Sequence, residues 1–152
     1  MRLPGTRLTH ADRNAPHLKG DLDFSFSGLK TAVLRFVRER EQHGGGPMTE
    51  REIADVCASF QRTVVTTLVD RAFDAARRFG AKSIGVAGGV SANSRLRADL
   101  AYHGEQREMP TFVPSLALST DNAAMIAAAG LRKLRAGLLA PVDLNADAAL
   151  AL

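Results

Sequence analysis

The chain has one cysteine, Cys57, so no internal disulfide can form and a reducing cytoplasm is the expected compartment. No apolar run approaches the roughly 18 residues that a membrane helix needs. The opening residues, Met1 to Arg7, lack the apolar segment of a secretory signal. Catalytic signatures are missing too. There is no G-x-S-x-G elbow, no H-E-x-x-H, no G-x-x-x-x-G-K-[ST] and no G-x-G-x-x-G, and no catalytic residue can be named. The four histidines, His10, His17, His43 and His103, have no spacing that would set two on one helix face, so surface roles are expected of them rather than metal ligation. Acidic excess is absent as well. The net charge is +4, carried by 16 arginines against 4 lysines; an arginine-rich surface suits phosphate groups, RNA included, or is simply a solvated exterior.

What is present reads as an α/β chain rich in helix. Residues 1–22 carry Pro4, Gly5, Pro16 and Gly20 with no sustained period and are expected to form an irregular arm, Leu18 serving as a lone anchor. Phe24 and Phe26 alternate with serines, and Ser27 is expected to cap a helix bearing Leu29, Val33, Phe36 and Val37. Gly44 to Gly46 and Pro47 end it. Thr49 and Glu52 form a capping box for a long helix with Ile53, Val56, Cys57, Phe60, Val64, Leu68, Ala72, Ala75 and Phe79 on its apolar face. At 1.5 Å per residue that helix is about 45 Å long, with Cys57 expected to be buried and inert.

The densest signal is Ser83 to Arg97. Ile84 to Ala87 reads as a buried strand, Gly88 and Gly89 as a sharp turn, and Ser91 or Asn93 as the cap of a helix carrying Leu96 and Leu100 to about Tyr102, with Gly104 beyond it. Such a turn points free N–H groups and a positive helix end at one spot; it either favours a phosphate or ribose edge or binds nothing. Thr111 to Val113 reads as a second strand, parallel to the first. Ser119 to Asn122 opens a last helix with Ala123, Ile126, Ala127, Gly130, Leu131 and Leu134 on one face. Asp121 stands at its mouth, where a carboxylate either favours the helix end electrostatically or ligates a metal. Two parallel strands do not make a stable sheet, so further strands are expected from elsewhere.

Four stretches together resemble the TsaD family, also called Gcp or YgjD: Asp23-Phe-Ser-Phe-Ser-Gly-Leu-Lys-Thr31, Ala58-Ser-Phe-Gln61, Ala87-Gly-Gly-Val-Ser-Ala-Asn-Ser-Arg-Leu-Arg97 and Ser119-Thr-Asp-Asn-Ala-Ala-Met125. The resemblance implies that residues 23–137 are the partial C-terminal lobe of an actin-like (ASKHA, RNase H-like) ATPase fold, with 138–152 a tail. It implies transfer of a threonylcarbamoyl group from threonylcarbamoyl-AMP to N6 of the tRNA adenosine just 3′ of the anticodon. Gly88, Gly89 and Asn93 would then contact the nucleotide, threonylcarbamoyl-AMP or ATP. Asp121 would ligate one divalent metal, iron or zinc, shared with an N-terminal lobe. Implied partners are tRNA and TsaB-like and TsaE-like proteins, with no membrane.

The family's H-x-x-x-H motif and its glycine-rich phosphate strands are absent from this sequence, and Ser119 stands where the family commonly has cysteine. The expectation is therefore a fragment, a truncated reading frame or one half of a split protein, inactive alone. Two alternatives remain: a non-catalytic fragment that binds partner proteins through the exposed face of the long helix, and a sugar-kinase-like nucleotide-binding lobe.

Overall fold

In a computed structural model, Leu3, Leu22, residues 24–44 and residues 46–145 are described. Leu18, His10, His17 and the end of the tail lie outside the described residues. Helices α1 (Ser27–His43) and α2 (Glu50–Arg78) precede β1 (Ile84–Gly85), a single 3-10 turn (Gly89–Ala92) and α3 (Ser94–Gln106). Then come β2 (Thr111–Phe112), a second 3-10 turn (Leu116–Leu118) and α4 (Ala123–Arg135). The two strands pair in parallel, Ile84 opposite Thr111 and Gly85 opposite Phe112, so this is a helix-rich α/β unit with a minimal sheet.

The capping box forms as expected: the Thr49 hydroxyl accepts from the Glu52 N–H and the Glu52 carboxylate accepts from the Thr49 N–H. That carboxylate also takes two bonds from Arg40 near the end of α1, at 2.6 and 3.0 Å. One side chain thus starts α2 and ties α1 to it.

The core is a stripe of α2, Val65, Val69, Phe73 and Ala76, packed on Ile84 of β1 and on Leu96 and Leu100 of α3. This corrects the stripe expected from periodicity. Ile53, Cys57, Phe60 and Phe79 are exposed, while Val64, Leu68, Ala72 and Ala75 are half-buried. The covered stripe lies about 100° further round, one residue step on a helix. Both stripes are apolar, and periodicity does not say which one the chain covers. Cys57 is accordingly not buried.

Two helix ends also differ from expectation. Ser27 is the first residue of α1, with Phe26 at the N-cap position and no side-chain cap. Phe26 instead stacks on Phe24, ring centroids 5.9 Å apart. Helix α3 does not stop near Tyr102. It runs to Gln106, with Gly104 buried inside it because Thr111 and the Met109 carbonyl come down on that spot. The chain reverses at Glu108, whose φ of 51° is left-handed, at a cost of roughly 1 kcal/mol for a residue with a Cβ.

Helix α4 has no buried residue. Met125, Ile126, Leu131 and Leu134 are all exposed, as is Phe112 of β2. No helix among the described residues is long and apolar enough to cross a membrane.

This packing is open to test at Gly104 and at Glu52. A methyl at Gly104 would lie 2.8 Å from Thr111 Cγ2 and 2.9 Å from the Met109 carbonyl, whereas one at Gly130 meets nothing within 4 Å. Gly104→Ala is therefore expected to lose about 1–3 kcal/mol in urea unfolding, and Gly130→Ala to gain about 0.5–1 kcal/mol through helix propensity. The second concerns acid. Hydrogen bonding from Arg40, then from Thr49, lowers the Glu52 carboxyl from 4.5 to about 2. The stability it contributes is present above about pH 4.5 and is lost as pH falls toward about 2. The stability gap between wild type and Glu52→Gln is expected to be flat above about pH 5 and to shrink below it.

Candidate functional site

The segment from Gly88 to Arg97 is where the distinctive stretches of the sequence meet. Gly88 has φ 85° and ψ 171°, a conformation open in practice to glycine alone. It sends the chain from β1 into the 3-10 turn, where the Ser91 N–H donates to the Gly88 carbonyl at 2.9 Å and the Asn93 N–H to Val90 at 3.0 Å. Asn93, not Ser91, caps α3: its Oδ1 accepts from the Leu96 N–H at 3.0 Å. That bond uses the acceptor, so the amide NH2 is the part of Asn93 left to meet a ligand, as a donor. The N–H groups of Ser94 and Arg95 fall in the first turn of α3, beyond the reach of intrahelical acceptors.

Three other stretches converge on this turn. Phe24 and Phe26 line a cavity of about 560 Å³ together with Ala87, Val90 and Ser91. Phe60 and Gln61 line a second cavity, of about 510 Å³, together with Val90 and Asn93. Thr120 stands beside the turn, its methyl 3.9 Å from where a Cβ on Gly89 would be. The first cavity is almost wholly apolar, but two buried groups on its wall, Arg71 Nε and Ser91 Oγ, have no hydrogen-bond partner among the described residues. The Arg71 guanidinium sits 5.8 Å from the centre of the Phe24 ring, a cation–π distance.

Asn122 caps α4, its Oδ1 accepting from Met125 N–H at 3.1 Å while its NH2 donates to the Thr120 carbonyl at 3.1 Å. Thr120, two residues before the α4 cap, therefore lies beside Gly89, and the N-terminus of each helix carries partial positive charge. Asp121 is exposed at the second of them. Among the described residues no three His, Cys, Asp or Glu side chains come together to hold a metal. His43 Nδ1 lies 2.9 Å from the Glu39 carbonyl and His103 packs between Phe73 and Tyr102. Asp121 alone does not fit a transition-metal ion, which needs several such donors.

Arg97 and Ser119 both lie in the family-like stretches, and the structure adds that they are bonded to each other. The Arg97 guanidinium donates to the Pro114 carbonyl at 2.6 Å and to Ser119 Oγ at 3.1 Å. Nothing in a linear sequence pairs an arginine with a serine 22 positions on.

Comparison with known proteins gives this convergence its context. A family model described as TsaD, tRNA N6-adenosine threonylcarbamoyltransferase, matches residues 4–128. A protein of that name from Anaeromyxobacter dehalogenans strain 2CP-1 is 52% identical over 132 residues, 85% of this chain and 37% of its own length. Its namesake from Symbiobacterium thermophilum is 47% identical over 130 residues, 86% of this chain and 37% of its own. The one from Koribacter versatilis is 38% identical over 175 residues, all of this chain and 46% of its own. The chain thus spans less than half the length of these relatives. By the extent of the family match and the identity of these relatives, the chain belongs to the TsaD family.

Proposed function

We propose that the chain supplies the nucleotide-side part of the C-terminal lobe of a tRNA-modifying transferase with an actin-like (ASKHA) fold. The reaction is transfer of the threonylcarbamoyl group from threonylcarbamoyl-AMP to N6 of a tRNA adenosine. The N6 amine forms the new bond to the carbamoyl carbon, the bond from that carbon to the adenylate oxygen breaks, AMP leaves, and N6 gives up a proton. The observation that carries this reading is the convergence of the three other family-like stretches on the Gly88–Arg97 segment.

Each residue then has a defined task. Gly88 and Gly89, lacking side chains, let the adenosine side lie against the backbone. Asn93 donates through its NH2 to a ribose or base acceptor. The N-termini of α3 and α4 attract the phosphate. Among the described residues, Asp121 is the ligand for a divalent metal, iron or zinc, that would be shared with an N-terminal lobe. The arginine-rich surface suits the tRNA backbone, and TsaB-like and TsaE-like proteins are proposed as partners in a cytoplasmic setting.

A second reading, a partner-binding fragment without catalysis, is favoured by the exposed apolar residues of α4 and by Ile53 and Phe60 on α2. It predicts association in solution, and a monodisperse monomer by light scattering would count against it.

The function is tested in a full-length chimera in which this chain replaces the matching part of the Anaeromyxobacter dehalogenans protein. Asn93→Asp keeps the helix cap, since aspartate caps as well as asparagine, but exchanges the NH2 donor for a carboxylate. It is expected to leave the melting temperature within a few degrees and to raise the KM for the adenylate at least about tenfold, a factor that one hydrogen bond can carry. Asp121→Ala is expected to abolish modified-nucleoside formation, read by mass spectrometry of digested tRNA, with folding retained. Full activity and unchanged metal content in Asp121→Ala would overturn its assignment.

A further inference from the structure

The last strand pairing ends at Phe112, whose carbonyl accepts from the Val86 N–H. Beyond it, the chain runs through Pro114, Ser115, Ser119 and Asp121 into α4, a helix with no buried residue. Something must hold this segment at the height of the glycine turn, or Asp121 has no fixed place. Of the hydrogen bonds and ion pairs described, those that join residues 113–145 to the rest are the two made by Arg97. Arg97 stands one turn into α3, and its backbone N–H donates to the carbonyl of Asn93 at 3.1 Å, so its stem is fixed to the residue that caps the helix.

We infer that Arg97 is the positioning residue that holds the Ser119–Asn122 loop, and with it Asp121, in register with the Gly88–Asn93 turn. Its functional meaning rests on the reading of that turn as the nucleotide site.

Three features make Arg97 fit this task. Its bonds are charge-assisted, and the one to Pro114, at 2.6 Å, is short. Ser119, only 1% exposed, relays the grip by donating in turn to the Ser115 carbonyl at 3.0 Å. Both bonds leave a single nitrogen, Nη2, whose two N–H groups are aimed in fixed directions by the guanidinium plane, whereas a lysine ammonium on a flexible stem is not held so. The competing explanation is apolar packing, since Val113 also rests on the core cluster. If packing alone set the loop, the guanidinium would be dispensable.

The test uses the 152-residue chain, isotopically labelled, with AMP as the probe. In wild type a nuclear Overhauser contact between the Gly89 α-protons and the Thr120 methyl is expected, and AMP is expected to shift the Gly89 and Asn93 amides. Arg97→Leu is expected to lose the contact and to weaken AMP binding at least about tenfold, the factor that a charge-assisted bond carries. The Val69 and Leu100 methyl signals should stay in place. Arg97→Lys is expected to recover part of both effects, because one of the two bonds can reform. Retention of both the contact and the AMP affinity in Arg97→Leu overturns the inference. Should that variant disturb the core signals, Ser119→Ala decides: a weakened contact with an intact core supports the inference, and an unchanged contact overturns it. If wild type binds no AMP, the nucleotide reading of the isolated chain falls, and the contact series alone decides whether Arg97 positions the loop.

Discussion

Everything downstream of α2 takes its place from one packing event, the seating of Val65, Val69, Phe73 and Ala76 on Ile84, Leu96 and Leu100. Val69 and Leu100, each 1% exposed, are at the centre of this seam, and truncating a side chain so enclosed typically costs about 2–5 kcal/mol. The seam sets the direction of β1, and the direction of β1 sets where Gly88 turns. From that turn hang the cap at Asn93, the axis of α3 and the reach of Arg97. A two-residue strand pair could not fix this geometry unaided.

Much of this was legible in the sequence, for identifiable reasons. The capping box of α2, the order of strand, Gly-Gly turn and helix, and the start of α4 each depend on residues close together in the chain, whose chemistry acts locally; the strand expected to be buried over Ile84 to Ala87 is shorter, Ile84–Gly85, with Gly85 and Ala87 exposed. The failures share the opposite property. Which apolar stripe of α2 is covered depends on what the rest of the chain supplies, so Cys57 was misplaced. Gly104 looked like a helix terminator, but its bareness serves the approach of Thr111 and Met109. The pairing of Arg97 with Ser119 is a contact across the fold with no local trace.

Among the described residues the sheet is left partly uncovered, whereas a parallel sheet is normally covered on both faces. Phe112, Met125, Ile126 and Leu134 are exposed, and the second stripe of α2 walls cavities of several hundred Å³ where a closed domain would have side chains. The Gly88–Asn93 turn is nonetheless fully formed within the chain.

On the function proposed above, this chain contributes one side of a transferase site and the reaction needs the other side. The most direct measurement is formation of N6-threonylcarbamoyladenosine on tRNA, assayed with threonylcarbamoyl-AMP for the chain alone and for the chain joined to the remaining part of the Anaeromyxobacter dehalogenans relative. No product is expected from the chain alone, and product is expected from the joined protein. Product from the chain alone, or a folded joined protein that yields none, would contradict the proposal.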